Sequence, residues 1–168
     1  MTRLYAQPFD LDASGFYLDN AEEYAAKAGS LRNRYGQPVE EVEIEFTGGE
    51  AIDAELFQAL RIGHTDIEAF FDGVREWTLD QKVKVIIAVG EVGYVFTPGE
   101  DHPDHFDVDV YAVDSLRDLA EQIVDDGLIS EIPEAIANYL DYDAIVRELS
   151  MDYGVTTIAS VTYAYRSA

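Results

Sequence analysis

The chain alternates between two hydrophobic periods. In "VEEVEIEF", residues 39–46, the period is two: Val42, Ile44 and Phe46 fall on one side and Glu41, Glu43 and Glu45 on the other. That pattern predicts a half-buried strand with a core row and an outward glutamate row, like charges standing about 7 Å apart. Upstream, "RLYAQPFD" and "GFYL" read as two further strands. Between them and the glutamate row, "NAEEYAAKAGS" reads as a short helix. Asn20 caps it, Glu23 completes a capping box and Gly29 stops it. These pieces predict a small α+β unit over residues 1–48.

Helical spacing follows. In "EAIDAELFQALRIG", Ile52, Leu56 and Leu60 recur every four residues. "TDIEAFFDGVREW" opens with Thr65 and Glu68, the signature of another capping box. "TLDQKVKVIIAVG" carries both signals. Its β-branched run suits a strand, whereas Thr78, Gln81 and the apolar positions 79, 83, 86 and 87 suit a helix ending at Gly90. The balance favours helix, giving a mainly helical middle domain over residues 49–106 that ends in the Pro-rich loop "TPGEDHPDH".

In the last third, "FDVDVYAV" alternates Val108, Val110 and Ala112 against Asp107, Asp109 and Tyr111. "DSLRDLAEQIVDDG" is an amphipathic helix with Leu116, Leu119, Ala120, Ile123 and Val124 on its core stripe. Two short helices follow, opened by Pro133 at a first-turn position and by Asp141 as a cap. "VTTIASVTYAYR" closes the chain as strand with a bend near Ser160. Residues 107–168 thus form a C-terminal α+β domain, and the fold class expected is an elongated α+β chain of small packed domains with a helical middle.

Composition narrows function. The 168 residues contain no cysteine, which removes disulfides, thiol catalysis and thiolate metal sites and fits a cytoplasmic protein. The N-terminal stretch has no signal-peptide pattern, and the longest apolar run, "VKVIIAVG", is broken by Lys84. With 34 acids against 11 bases the net charge is −23, which repels nucleic acid and anionic membranes and attracts basic surfaces. Solubility alone, or a saline habitat, would also favour acid; only Lys27, Lys82 and Lys84 represent lysine.

Ordinary catalytic chemistries find no support. No nucleophile elbow, P-loop or dinucleotide fingerprint is present. His64 stands alone. His102 and His105 sit among Asp101, Asp104, Asp107 and Asp109, but Pro103 and the following strand splay these side chains apart, and the segment lacks a calcium-loop glycine. The expectation is no catalytic residue, no metal and no cofactor.

The arrangement of the acids carries more. Asp114, Asp118, Glu121 and Asp125 fall at spacings of four, three and four on the outward side of their helix. Asp125 and Asp126 occupy its last turn, where the helix dipole disfavours anions by roughly 0.3–1 kcal/mol each. From Glu100 to Glu134 there are twelve acids and one base, Arg117. Such lines of unneutralised charge resemble a nucleic-acid backbone. They are expected to lie along one face of an elongated molecule, joined by Asp107, Asp109, Glu131 and Glu134.

The stretch "DSLRDLAEQIVDDGLISEIPEAIANYLDYDAIVRELSMDY" resembles the C-terminal part of the ArdA antirestriction proteins, in which a "Y…SL..a.e" helix leads to "iP..l..YiDYea..rdL" and a closing aromatic strand. Tyr111, Ser115, Leu116, Ala120, Glu121, Ile132, Pro133, Tyr139, Asp141, Tyr142, Asp143, Arg147 and Leu149 carry the match, which is good over residues 107–165 and weak in the first hundred. The resemblance implies three small domains, usually paired as a homodimer. It implies a mimic of bent B-form DNA that fills the DNA-binding groove of type I restriction–modification enzymes at their methyltransferase core. Such proteins are inhibitors carried by mobile elements, not enzymes. Two chains at −23 each would carry −46, equivalent to roughly 80 Å of duplex. Within the motif, Tyr139, Tyr142 and Leu149 are expected in the core, and Asp143 and Arg147 are spaced for a local ion pair. Function is therefore placed on Glu41, Glu43, Glu45, Asp107, Asp109, Asp114, Asp118, Glu121, Asp125, Asp126, Glu131 and Glu134. The alternative from another class is an acidic adaptor or regulatory domain for a different basic protein.

Overall fold

In the computed structural model, which describes residues 1–128 and 130–168, the chain divides into two compact units, Met1–Phe106 and Asp107–Ala168. The described residues form seven α-helices and two three-stranded sheets, so the chain is α+β. No helix among them is long and apolar enough to cross a membrane.

In the first unit β1 (Arg3–Pro8) lies between β2 (Phe16–Leu18) and β3 (Val42–Gly48), and both pairings are antiparallel. Alternation decides the faces. Leu4, Ala6 and Pro8 are buried together with Leu18, Val42 and Ile44, while Arg3, Gln7, Tyr17, Glu43 and Glu45 are exposed on the opposite face. The helices are α1 (Ala21–Gly29), α2 (Ala51–Leu60), α3 (Ile67–Glu76) and α4 (Leu79–Val85). A run of rings, Phe46, Phe57, Phe70 and Phe71, carries the core from β3 through α2 into α3, with successive centroids 5.9, 5.5 and 5.7 Å apart. Phe70 and Leu56 are fully buried, each burial being worth roughly 1.5–3 kcal/mol.

The ambiguous segment is helical. Thr78 and Gln81 form the expected capping box on α4, which continues as a π-helix over Ile86–Val92 and ends at Gly93, in the left-handed region at φ 93°, rather than at Gly90. Val83, Val85, Ile86 and Ile87 are all buried, so this helix is covered on several sides and reads as a continuous apolar run. Other caps differ from expectation. Asp66, not Thr65, stands before α3 and makes no cap bond; its carboxylate accepts from the Gly63 amide at 3.1 Å. Asn20 does cap α1, accepting from the Glu23 amide at 2.8 Å, but the Glu23 carboxylate reaches the amide of Asp19 instead of Asn20.

In the second unit β6 (Val161–Ser167) lies between β4 (Val108–Ala112) and β5 (Gly154–Ile158), again antiparallel. The expected bend is a two-residue hairpin turn in which Ala159 and Ser160 have φ of 47° and 68°. The helices are α5 (Leu116–Asp125), the single-turn α6 (Glu134–Ala137) and α7 (Tyr142–Asp152). Val108, Leu119, Ala120, Val124, Ile158, Tyr163 and Ala164 are the buried set.

Asp141 caps α7 as expected, accepting from the Ala144 amide at 3.0 Å. Pro133 is the N-cap of α6 rather than a first-turn residue. Tyr139 is not core: it is 85% exposed, because it follows the single-turn α6, which has no buried residue of its own. Tyr142 and Leu149 are half-buried, and α7 has no buried residue. Asp143 pairs with Arg117 at 3.3 Å, not with Arg147. Ala112 is exposed rather than inward, since it is the last residue of β4.

Candidate functional site

Glu41, Glu43 and Glu45 belong to the first unit and are exposed. Glu43 and Glu45 stand on β3 opposite Gln7 and Tyr5 of β1. Glu41 lies one residue before the strand, its carbonyl accepting from the Phe9 amide at 3.2 Å. β3 is an edge strand, and glutamates on an edge also discourage pairing with a second sheet. Among the described residues none of the three has a basic partner, so no ion pair offsets the row.

The other nine acids belong to the second unit. The Ser115 hydroxyl accepts from the Asp118 amide at 3.1 Å and donates to the Asp118 carboxylate at 2.8 Å, which fixes the start of α5 and turns its acidic side outward. Leu119, Ala120 and Val124 bury the opposite side. Asp114, Asp118, Asp125, Asp126, Glu131 and Glu134 are exposed, as is Asp107. Asp125 ends α5, Asp126 is its C-cap, and Gly127 follows at φ 67°, so both aspartates belong to the negative end of the helix dipole. The fold draws Asp125, Asp126 and Glu131 around one open hollow of about 540 Å³, and Asp114 and Asp118 around another of about 340 Å³.

Two of the twelve acids are not free charges. Asp109 accepts from Arg166 at 2.7 Å, and Arg166 lies 5.2 Å from the Tyr153 ring centre. The bond to Asp109 raises the Arg166 pKa, and burial raises that of the Tyr153 hydroxyl. Glu121 pairs with Arg117 at 3.2 Å along its own helix. Arg117 also reaches Asp143 and lies 5.4 Å from the Tyr142 ring centre. The expectation that all twelve acids stand unneutralised fails at these two positions. The sequence held the signal for Glu121, four residues after Arg117, but not for Asp109, whose partner is 57 residues away and reached only through strand pairing. Twelve less these two leaves ten exposed carboxylates without a basic partner among the described residues.

The histidine loop is occupied with its own backbone. His105 Nδ1 accepts from the His102 amide at 3.2 Å, and His102 Nδ1 accepts from the Asp104 amide at 3.3 Å. Among the described residues no group of three or more histidine, aspartate or glutamate side chains converges as metal ligands would.

A family model described as antirestriction protein (ArdA) matches residues 12–163 of the chain. It therefore reaches through the first unit, where the wording of the sequence alone resembles the family least. No curated protein matches the chain.

Proposed function

The chain belongs to the ArdA family of antirestriction proteins, and from that premise we propose that it blocks a type I restriction–modification enzyme by presenting carboxylates where the enzyme's methyltransferase core expects the phosphates of B-form DNA. One observation carries this reading: ten exposed carboxylates have no basic partner among the described residues, and four of them, Glu43, Glu45, Asp118 and Asp125, stand on faces of β3 and α5 whose other sides are core. A surface optimised for stability would intersperse lysine or arginine and would keep aspartate out of the last turn of α5. A groove built to bind duplex is lined with cations, and it would gain from this surface the same long-range attraction and counterion release that DNA provides.

In this proposal the protein is a cytoplasmic stoichiometric inhibitor, without catalysis or cofactor, and its gene travels with mobile DNA. It acts as a homodimer. Supporting the pairing, Leu128, Ile136, Tyr139 and Met151 of the second unit are 69%, 52%, 85% and 76% exposed, and the edge strand β5 carries no charged residue to discourage a second copy. Mimicry also asks that the acidic lines run along one continuous face of a long molecule. Small-angle scattering should then give a radius of gyration well above the roughly 15 Å of a compact chain of this size.

Competition tests the central claim. Duplex DNA and this protein should displace one another from a purified type I methyltransferase. Binding that DNA leaves untouched would remove mimicry and favour the acidic adaptor. The edge position of β3, which gives its glutamates a protective use, would then explain that row.

A further inference from the structure

The open face of the first sheet holds more than glutamates. Strand register places Tyr17 of β2 opposite Tyr5 of β1, and Tyr5 opposite Glu45 of β3. Cross-strand partners on one face have Cβ atoms about 5 Å apart, so Tyr17, Tyr5 and Glu45 form a transverse row, with Glu43 two residues along. The two rings lie with centroids 4.8 Å apart at 55°. Tyr5 is held in place from below. A Cβ at Gly15 would lie 2.5 Å from the Tyr5 hydroxyl oxygen, so the absence of a side chain at Gly15 is what admits the ring.

This face already takes one guanidinium. Arg3, two residues before Tyr5, places its Cζ 6.0 Å from the Tyr17 ring centre, while Asp19 binds its Nε and a terminal nitrogen at 2.7 and 2.9 Å. That is an aromatic face plus a carboxylate holding one arginine. Tyr5 and Glu45, cross-strand partners by register, supply the same two kinds of group, and among the described residues no cation of the chain is paired with either.

We propose that Tyr5 with Glu45 and Glu43 is a docking site for an arginine side chain of the enzyme this protein inhibits, filled from outside in the way Arg3 fills Tyr17 and Asp19. The site rests on the proposed inhibition of a DNA-binding enzyme, and it adds a partner residue type that a purely electrostatic mimic would not distinguish. Charge selects a cation, and the geometry selects arginine over lysine. A guanidinium is planar, stacks on an aromatic face and bonds a carboxylate through two parallel N–H donors, whereas an ammonium is a strongly hydrated point charge. DNA-binding grooves are rich in both residues, so the preference is a property this chain would impose on its partner.

Titration with oligoarginine and oligolysine peptides of equal length, at fixed ionic strength, reads the preference without the enzyme. The expected result is tighter binding of oligoarginine, on the order of 5-fold. Tyr5→Leu should abolish the preference and leave oligolysine affinity unchanged. Tyr5→Phe, which keeps the ring face, should retain the preference, and Glu45→Gln should reduce it without touching the core. Equal affinity of the wild-type protein for the two peptides would overturn the site. So would a preference that survives both Tyr5→Leu and Glu45→Gln in folded protein. DNA competition on the methyltransferase fails independently of this: a preserved arginine preference without DNA competition would leave the site standing and remove mimicry.

Discussion

Lys82 Nζ lies 2.7 Å from Asp53 Oδ1, and both side chains are buried in the first unit. The other Asp53 oxygen accepts from the Thr2 hydroxyl at 2.8 Å. One carboxylate thus ties the residue before β1 and the helix α4 to the first turn of α2. In a chain with three lysines, one is spent inside. Two charges removed from water are tolerated only because they meet, and removing one partner strands the other.

Lys82→Met should therefore destabilise the first unit by about 3–5 kcal/mol, because Asp53 would keep its burial and lose its cation. Adding Asp53→Leu should recover much of that loss, since an apolar pair of similar volume carries no desolvation cost. Urea unfolding of the two variants measures both steps. A double variant no more stable than Lys82→Met would mean that packing, not the uncompensated charge, sets the loss.

The β5–β6 turn offers the opposite sign. Ala159 and Ser160 both adopt positive φ, a conformation costing L-residues roughly 1–2 kcal/mol each and supplied at least cost by Asn-Gly. Ala159→Asn with Ser160→Gly should raise stability by about 1–2 kcal/mol, read as a higher urea midpoint of the second unit. An unchanged midpoint would show that the surrounding hairpin already relieves the strain.

Legibility followed the range of each interaction. The faces of β3 and α5 were readable because periods of two and near four are local: Val42 and Ile44 are buried while Glu43 and Glu45 are exposed, and Leu119 and Val124 are buried while Asp118 and Asp125 are exposed. The Thr78 capping box was legible for the same reason. The pairing of Asp109 with Arg166 was not, because it depends on which strand lies beside β4. Tyr139 shows another limit. Hydrophobicity predicts burial only where a neighbour exists to supply it, and a one-turn helix supplies little. Tyr5 and Tyr17 could have been seen, since Arg3, Tyr5 and Gln7 alternate against Leu4, Ala6 and Pro8, but their meeting needed the β1–β2 register.

Two aspartates of the first unit tie its stability to pH. Asp10 has a lowered pKa because the Asp12 amide and the Asn33 side chain donate to its carboxylate. Asp19 has a lowered pKa because Arg3 binds it. Both folded values lie below the ordinary 3.8, so the unfolded chain takes up protons first. The stability these groups contribute is fully present above that ordinary value and is lost as pH falls through the lower folded values. Asp10→Asn with Asp19→Asn should be less stable than wild type at about pH 5, and the gap should close towards about pH 2. A gap that stays constant in urea unfolding across that range would assign the loss to packing rather than to ionisation.

Inhibition should decline in steps rather than at a switch. An exposed charge contributes between about zero and 1 kcal/mol and is screened by salt, so Glu43→Gln alone should weaken inhibition by no more than a few-fold. Neutralising Glu41, Glu43, Glu45, Asp118, Glu121 and Asp125 together should weaken it on the order of 100-fold and flatten its salt dependence. Within that set Glu121 should matter least, because Arg117 already offsets it. Asp125 carries a further consequence. Asp125→Asn and Asp126→Asn each remove an anion from the end of α5, so each should stabilise the fold at low salt by about 0.3–1 kcal/mol while weakening inhibition. Stability and binding moving in opposite directions would mark these two carboxylates as kept for a partner, since folding alone disfavours them. Loss of both together, or abolition of binding by Asp118→Asn alone in folded protein, would instead point to one localised contact.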